Sequence, residues 1–148
     1  MASSQWLLLA HPAFQMEFDE YKNRAAKAIS KFGGDWLQTQ SGKQFVALKH
    51  VVIERIPSNP TNAEFRLGKA LGENYRHWFR GKFLQQYRVF FRYSTRSQAI
   101  VYGWVNDPET LRAYGSKTDA YLVFKKMLES GRVPNSWDEL VAESKRIS

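Results

Sequence analysis

Between positions 78 and 94 the chain reads WFRGKFLQQYRVFFRYS, in which Arg80, Lys82, Arg88 and Arg92 are interleaved with aromatic rings. Guanidinium and ammonium groups at this density suit phosphates, and exposed rings beside them suit base stacking. Single-stranded RNA or DNA is gripped by that combination. Whether the cations share a face depends on register, because side chains of a strand alternate between its two sides. Along YRVFFRY, Tyr87, Val89, Phe91 and Tyr93 point one way and Arg88, Phe90 and Arg92 the other. Along WFRGKF, Phe79, Gly81 and Phe83 alternate with Trp78, Arg80 and Lys82. A two-residue turn would pair Phe83 with Arg88 and put cations on both faces, whereas a three-residue turn over Leu84 to Gln86 pairs Lys82 with Arg88 and Arg80 with Phe90. Burying an unpaired cation costs several kcal/mol. The three-residue turn is therefore predicted, with one exposed face bearing Arg80, Lys82, Arg88 and Arg92, and Trp78 and Phe90 among them.

Residues 64 to 92 hold seven cations and two acids, which makes +5 of the chain's +8. A solvated sheet face carries some Arg and Lys for solubility alone, but solubility does not require such concentration. A pI near 9.8 favours a polyanionic partner. The absence of cysteine excludes disulfides, thiolate nucleophiles and Cys-based zinc sites. No His and carboxylate cluster has metal-ligand spacing, so neither a metal nor another cofactor is expected. The apolar run from Trp6 to Ala10 is too short for a signal peptide, and nothing approaches the roughly 20 apolar residues of a membrane span. The expectation is a soluble, cytoplasmic protein with no membrane partner.

The elements that must position these residues are legible from periodicity. QWLLLA, residues 5 to 10, reads as a short buried strand. Phe14, Phe18, Tyr21, Ala25, Ile29 and Phe32 then mark one stripe of a helix with Pro12 in its first turn. Ser41 with Gln44 resembles a capping box that opens a second helix through Phe45, Leu48, Val52 and Ile56, the two forming a hairpin. HWFRGKF, YRVFFRYS and AIVYGWV follow as a three-stranded meander. NDPETLRAYG reads as a helix capped by Asp107 and stopped by Gly115, and TDAYLVFKKMLESG as another from Thr118 to Gly131, with Met127 and Leu128 in the core. Ser136 and Glu139 make a further capping box. The fold class expected is α+β, with helices packed on one face of a small antiparallel sheet. With no linker or repeat, 148 residues make one domain.

Several of these segments together carry a resemblance: AHPAF, FRLGKALG, WFRGKF, YRVFFRYS, GWVND and above all TLRAYGSKTDAYLVFKKML, in this order from Trp6 to about Trp137. The chain resembles the YhaV-type toxins of the RelE/ParE superfamily, the toxin half of bacterial toxin–antitoxin pairs. The resemblance implies a single RelE-like ribonuclease domain over residues 1–148 that cuts messenger RNA, commonly on the ribosome. It also implies an inhibitory antitoxin resembling PrlF, with a swapped-hairpin DNA-binding domain through which alone operator DNA is contacted. The superfamily's basic site residues fall on Arg80, Lys82 and Arg88. Its further arginine at the end of the last strand falls near Asn106 and Asp107, where this sequence departs. Arg112, Tyr114 and Lys117 are the candidates to replace it.

A site of these residue types can use the nucleophile that RNA itself supplies, the 2′-hydroxyl. The protein must align it, accept its proton, stabilise the phosphorane and protonate the leaving 5′-oxygen. Arginine cannot serve as the base. Lys82 can, where Arg80 and Arg88 disfavour its charged form. Arg80 and Arg88 are then ligands of the phosphate and transition state, and Tyr114 or Arg112 the donor to the leaving group. Arg66, Lys69, Trp78, Phe90, Arg92, Lys117 and Asp119 complete the expected RNA contacts, with Asp119 able either to orient Lys117 or Arg112 or simply to favour a helix start. His77 reads as a solvated histidine bordering the site, His11 as an N-terminal helix contact and His50 as structural. A second class of function stays open, that of a non-catalytic ParE-like toxin gripping a protein such as DNA gyrase. The discriminating feature is the phosphate-sized cluster of Arg80, Lys82 and Arg88, which a protein-binding surface does not require.

Overall fold

In a computed structural model, residues 5–108 and 119–147 are described, residue 119 by its backbone. The chain enters with β1 (Leu7–Ala10) and turns at His11 into α1 (Pro12–Phe32). The His11 ring caps this helix, its Nδ1 accepting from the Ala13 N–H at 3.1 Å, while Pro12 takes the first turn, where no intrahelical donor is needed. A short 3-10 segment (Gly33–Gln38) reverses the chain into α2 (Gln40–Lys49). That helix continues as a π-helical stretch (His50–Arg55) and a last turn (Ile56–Ser58). The cap of α2 is Thr39, whose hydroxyl accepts from the Gly42 N–H, and not Ser41. Gln44 is buried and donates to the Tyr87 hydroxyl at 3.3 Å, so it is not free to close a capping box. The α1 stripe also ends earlier than its spacing suggests. Phe14, Phe18, Tyr21, Ala25 and Ala28 are buried, but Ile29 and Phe32 lie beyond the sheet at the hairpin tip and are about half exposed.

The meander is β2 (Phe79–Phe83), β3 (Tyr87–Ser94) and β4 (Ala99–Val105). Its register is the one that segregates charge, with Lys82 opposite Arg88, Arg80 opposite Phe90 and Phe83 opposite Tyr87. The connecting turn holds Leu84 at φ 47° and Gln85 at φ 65°. Two non-glycine residues in the left-handed region cost about 1–2 kcal/mol each. That is less than the burial of unpaired cations the alternative register demands, so the turn accepts the strain.

Two expectations about the sheet are corrected. The sheet is mixed and not wholly antiparallel: its order is β2-β3-β4-β1-β5, with β1 parallel to β4 from Leu7 opposite Ala99 to Ala10 opposite Tyr102. The reason is the connection, since the helical hairpin and two strands intervene before β4 and provide the long crossover that parallel pairing needs. The edge strand β5 (Lys145–Arg146) pairs antiparallel to β1. Helices also cover both faces and not one. On the first face, Phe14, Phe18, Tyr21, Leu48, Val52 and Ile56 meet Val89, Phe91, Ile100 and Tyr102. On the second, α3 (Asp119–Glu129) and α4 (Trp137–Glu143) bring Phe124, Leu128 and Leu140 onto Leu9, Phe90, Val101 and Trp104. Met127 and Leu128 are core, and Ser136 caps α4.

The second layer is what displaces the anticipated exposed face. Phe90 stacks on Phe124 at 4.5 Å between centroids, Trp104 lies parallel to Phe124, and Trp78 meets Phe124 edge-on at 5.0 Å. Gly103 makes room for this, because a Cβ there would lie 2.8 Å from the Trp78 ring. The expected helix over NDPETLRAYG lies, beyond Pro108, outside the described residues, as do Arg112, Tyr114, Lys117 and the side chain of Asp119. Among the described residues, no helix is long and apolar enough to cross a membrane.

Candidate active site

The register places Lys82 and Arg88 directly across from each other at one end of the sheet, with Arg80 two residues along the same face. Lys82 is exposed, Arg80 half-buried and Arg88 buried at 4% exposure. A buried guanidinium must have its donors answered, and the turn that set the register answers them. Arg88 Nη1 donates to the carbonyls of Gln85 at 2.7 Å and Tyr87 at 2.9 Å. Arg80 Nη1 donates to the carbonyls of Glu64 at 3.1 Å and Arg66 at 3.0 Å, so the loop before β2 anchors it.

The two arginines converge on a residue that the sequence reading passed over, Tyr121 in the first turns of α3. Its hydroxyl oxygen accepts from Arg80 Nε at 2.8 Å and from Arg88 Nε at 3.2 Å. Both lone pairs of that oxygen are occupied, which leaves the Tyr121 O–H to donate outward. Each arginine spends Nε and Nη1 on protein oxygens, and among the described residues its Nη2 makes no hydrogen bond. Every acceptor named is a neutral oxygen, and neither guanidinium has an ion pair among the described residues. Two fixed positive charges with spare donors and no carboxylate form a receptor for an anion of phosphate geometry.

Asn106, one of the two residues near which the resemblance predicts an arginine, is fully buried and acts as a clamp on Arg88. Its Oδ1 accepts the Arg88 N–H at 2.7 Å, its N–H reaches the Arg88 carbonyl at 3.3 Å, and its carbonyl accepts from the Tyr21 hydroxyl at 2.6 Å. Asn106 thus sets the backbone of Arg88.

Next to this clamp, burial pushes Glu17 of α1 up to about 7, with the charge of Asp107 and a hydrogen bond to its side chain adding to the effect. The ordinary value is 4.5. Between those two values the folded chain holds a proton that the unfolded chain has released, so stability falls as pH rises from about 4.5 to about 7. Glu17→Gln removes this titration. Its melting temperature is expected to change less than the parent's across that interval, in a thermal scan at several pH values. Identical profiles for the two proteins would contradict the assignment.

The remaining predicted residues fall into three groups. Trp78 and Phe90, expected to be exposed stacking platforms, are fully buried beneath α3 and offer no face to a base. Arg92 is also drawn inward: it donates to the Asn135 carbonyl at 2.6 Å and lies over the rings of Trp78 and Trp137, so it ties the turn before α4 to the sheet. His77 is only partly exposed: its Nε2 lies 2.7 Å from the Asn135 Oδ1 that also accepts from Trp78, and burial holds its imidazole below the usual range. Arg66 and Lys69 do lie on the surface, Arg66 beside Arg80 through its carbonyl and Lys69 3.5 Å from Glu73. His11 pairs with Glu143, and His50 is exposed beside Glu54. Among the described residues, no group of three or more His, Asp or Glu could hold a metal ion.

Residues 8–145 match a family described as a toxin with endonuclease activity, of a toxin–antitoxin system. The chain is 40% identical over 141 residues to the ribonuclease toxin YhaV of Escherichia coli K12 and to the toxin YhaV of E. coli O157:H7, covering 94% of this chain and 92% of each relative. No solved structure matches. The class is thus that of endonuclease toxins belonging to toxin–antitoxin systems. Within it, the chain belongs to the YhaV toxin family.

Proposed function

We propose that the chain is one RelE-like domain over residues 1–148 that cuts messenger RNA in association with the ribosome, without a metal ion, by attack of the 2′-hydroxyl. The observation that carries this reading is the pair of guanidiniums, Arg80 and Arg88, fixed by neutral oxygens around the Tyr121 hydroxyl with no counter-ion among the described residues. A scissile phosphate completes it. The Nη2 groups of Arg80 and Arg88 hold the non-bridging oxygens and stabilise the charge that grows on them. Lys82 accepts the 2′-hydroxyl proton, the 2′-oxygen bonds to phosphorus, and the bond from phosphorus to the 5′-oxygen breaks. The Tyr121 O–H donates to that leaving oxygen. The products are a 2′,3′-cyclic phosphate and a 5′-hydroxyl. Arg66 and Lys69 extend the phosphate track, and Arg112, Tyr114, Lys117 and Asp119 remain candidates for contacts on the far side.

The partner that silences this site is an antitoxin resembling PrlF, which presents an acidic or amphipathic segment across the cluster and contacts operator DNA on behalf of the pair, in the cytoplasm. The family's endonuclease description and the relatives' ribonuclease name favour this reading over a non-catalytic grip on a protein such as DNA gyrase. The test is to map RNA ends after incubating toxin released from its antitoxin with messenger RNA, with and without ribosomes. New ends that appear only with ribosomes are expected. Ends that appear equally without them would remove the ribosome from the account, and intact RNA in both would remove the nuclease.

A further inference from the structure

The second half of α1 carries Arg24, Lys27 and Lys31 at three- and four-residue steps, which places them on one helical face. That face looks across a groove of about 270 Å³ onto Thr39, Gln40 and Ser41 at the start of α2. Some surface cations are answered by acids, as in Lys22 with Asp19, Arg55 with Glu64, Lys69 with Glu73 and Arg76 with Glu73, while others such as Lys43, Lys49 and Arg132 make no ion pair among the described residues and do not line this groove. Among the described residues, Arg24, Lys27 and Lys31 make no ion pair, and Nε and Nη2 of Arg24 are closed off from solvent without a hydrogen-bond acceptor. Buried guanidinium donors without acceptors are costly, and an anion nearby lowers that cost. The helix dipole accounts for Lys31, which stands in the last turn, and not for the other two.

The groove is linked to the active site through side chains. The Arg24 guanidinium lies over the Tyr21 ring at 4.9 Å, Tyr21 donates to the Asn106 carbonyl at 2.6 Å, and Asn106 clamps Arg88. This path runs through the core, since Tyr21, Asn106 and Arg88 are all buried, and it joins the groove on α1 to the strand that carries Arg88. Two lysines on mobile stems around a groove suit a phosphate better than a protein partner, because lysine is a point charge for phosphate and is depleted from protein interfaces.

We propose that this groove is a second phosphate-binding site, taking a backbone phosphate of the RNA strand outside the segment held at the cut. This rests on the ribonuclease reading. The probes are a short and a long single-stranded 2′-O-methyl RNA, which lack the attacking hydroxyl and stay uncut. The short one spans the active site alone and the long one reaches the groove as well. In Lys27→Gln/Lys31→Gln, affinity for the long oligomer should fall about tenfold and its log–log salt slope should lessen by about 0.7, the value for one lost phosphate contact. The short oligomer should bind as before, and Lys27→Arg/Lys31→Arg should restore the long one. Both lysines are exposed, so an unchanged melting temperature is expected and checks the fold. An unchanged slope for the long oligomer would overturn the proposal. So would a double variant that loses affinity for the antitoxin while holding RNA normally, which assigns the groove to a protein. Failure of the parent to cut natural RNA with ribosomes present would strike the ribonuclease reading instead, and the slope comparison would still decide the groove.

Discussion

Lys82→Arg should retain folding, charge and RNA affinity and lose cleavage. Lys82 is exposed on β2, where arginine is accommodated without repacking. Its β3 partner Arg88 is fixed by Gln85 and Tyr87 and not by Lys82, so the phosphate receptor survives the change. What disappears is a group able to take a proton, since a guanidinium stays charged throughout the accessible range. Loss of a general base costs about 100- to 10,000-fold in rate. Single-turnover cleavage measured beside RNA affinity reads the two quantities separately. A variant that cuts at the parent's rate would remove Lys82 from the mechanism and move attention to the segment from Arg112 to Asp119.

Arg80→Lys is the second large effect, because the charge remains and the geometry does not. The arginine is held at Nε by Tyr121 and at Nη1 by two carbonyls. An ammonium group satisfies none of that fork and reaches a phosphate as a single point. Removal of one preorganised donor to a developing oxyanion costs about 100- to 1,000-fold in kcat, with little loss of RNA affinity. Tyr121→Phe alone removes the proton donor to the leaving oxygen and should cost about 100- to 10,000-fold in rate, while its ring keeps its edge contact with Phe90 at 5.6 Å, so folding is preserved. Combined with Arg80→Lys, the two losses should add to less than their sum, because both remove the same hydrogen bond. Full additivity in the cycle would mean that Tyr121 does not act through Arg80.

The register of β2 against β3 could be read from the chain because a slip by one residue would have buried cations, a penalty that outweighs the strain at Leu84 and Gln85. What lies over the resulting face could not be read in the same way. TDAYLVFKKML has a clear helical stripe, but periodicity does not say which sheet face the helix docks on. Two signals pointed to a second covered face. Phe90 and Phe91 are adjacent, so one large ring points each way, and AIVYGWV is apolar at nearly every position, the mark of a strand buried on both sides. With α3 in place, Trp78 and Phe90 pass from base platforms to core, and Tyr121 comes within reach of the arginines. Tyr121 stands three residues before Phe124 on the same stripe, with a polar tip on an apolar ring. Such a residue at the border of a core is a candidate for work outside it. The role of Asn106 was hidden for another reason, because a backbone clamp leaves no trace in composition.

The central claim is a phosphate receptor built from Arg80, Arg88 and Tyr121 that turns the RNA's own 2′-hydroxyl on the chain. The most direct measurement is the chemistry of the ends left on a defined messenger RNA cut by the purified toxin in the presence of ribosomes. The account predicts 2′,3′-cyclic phosphate on the upstream fragment and 5′-hydroxyl on the downstream one. Fragments with 5′-phosphate and 3′-hydroxyl ends would contradict it.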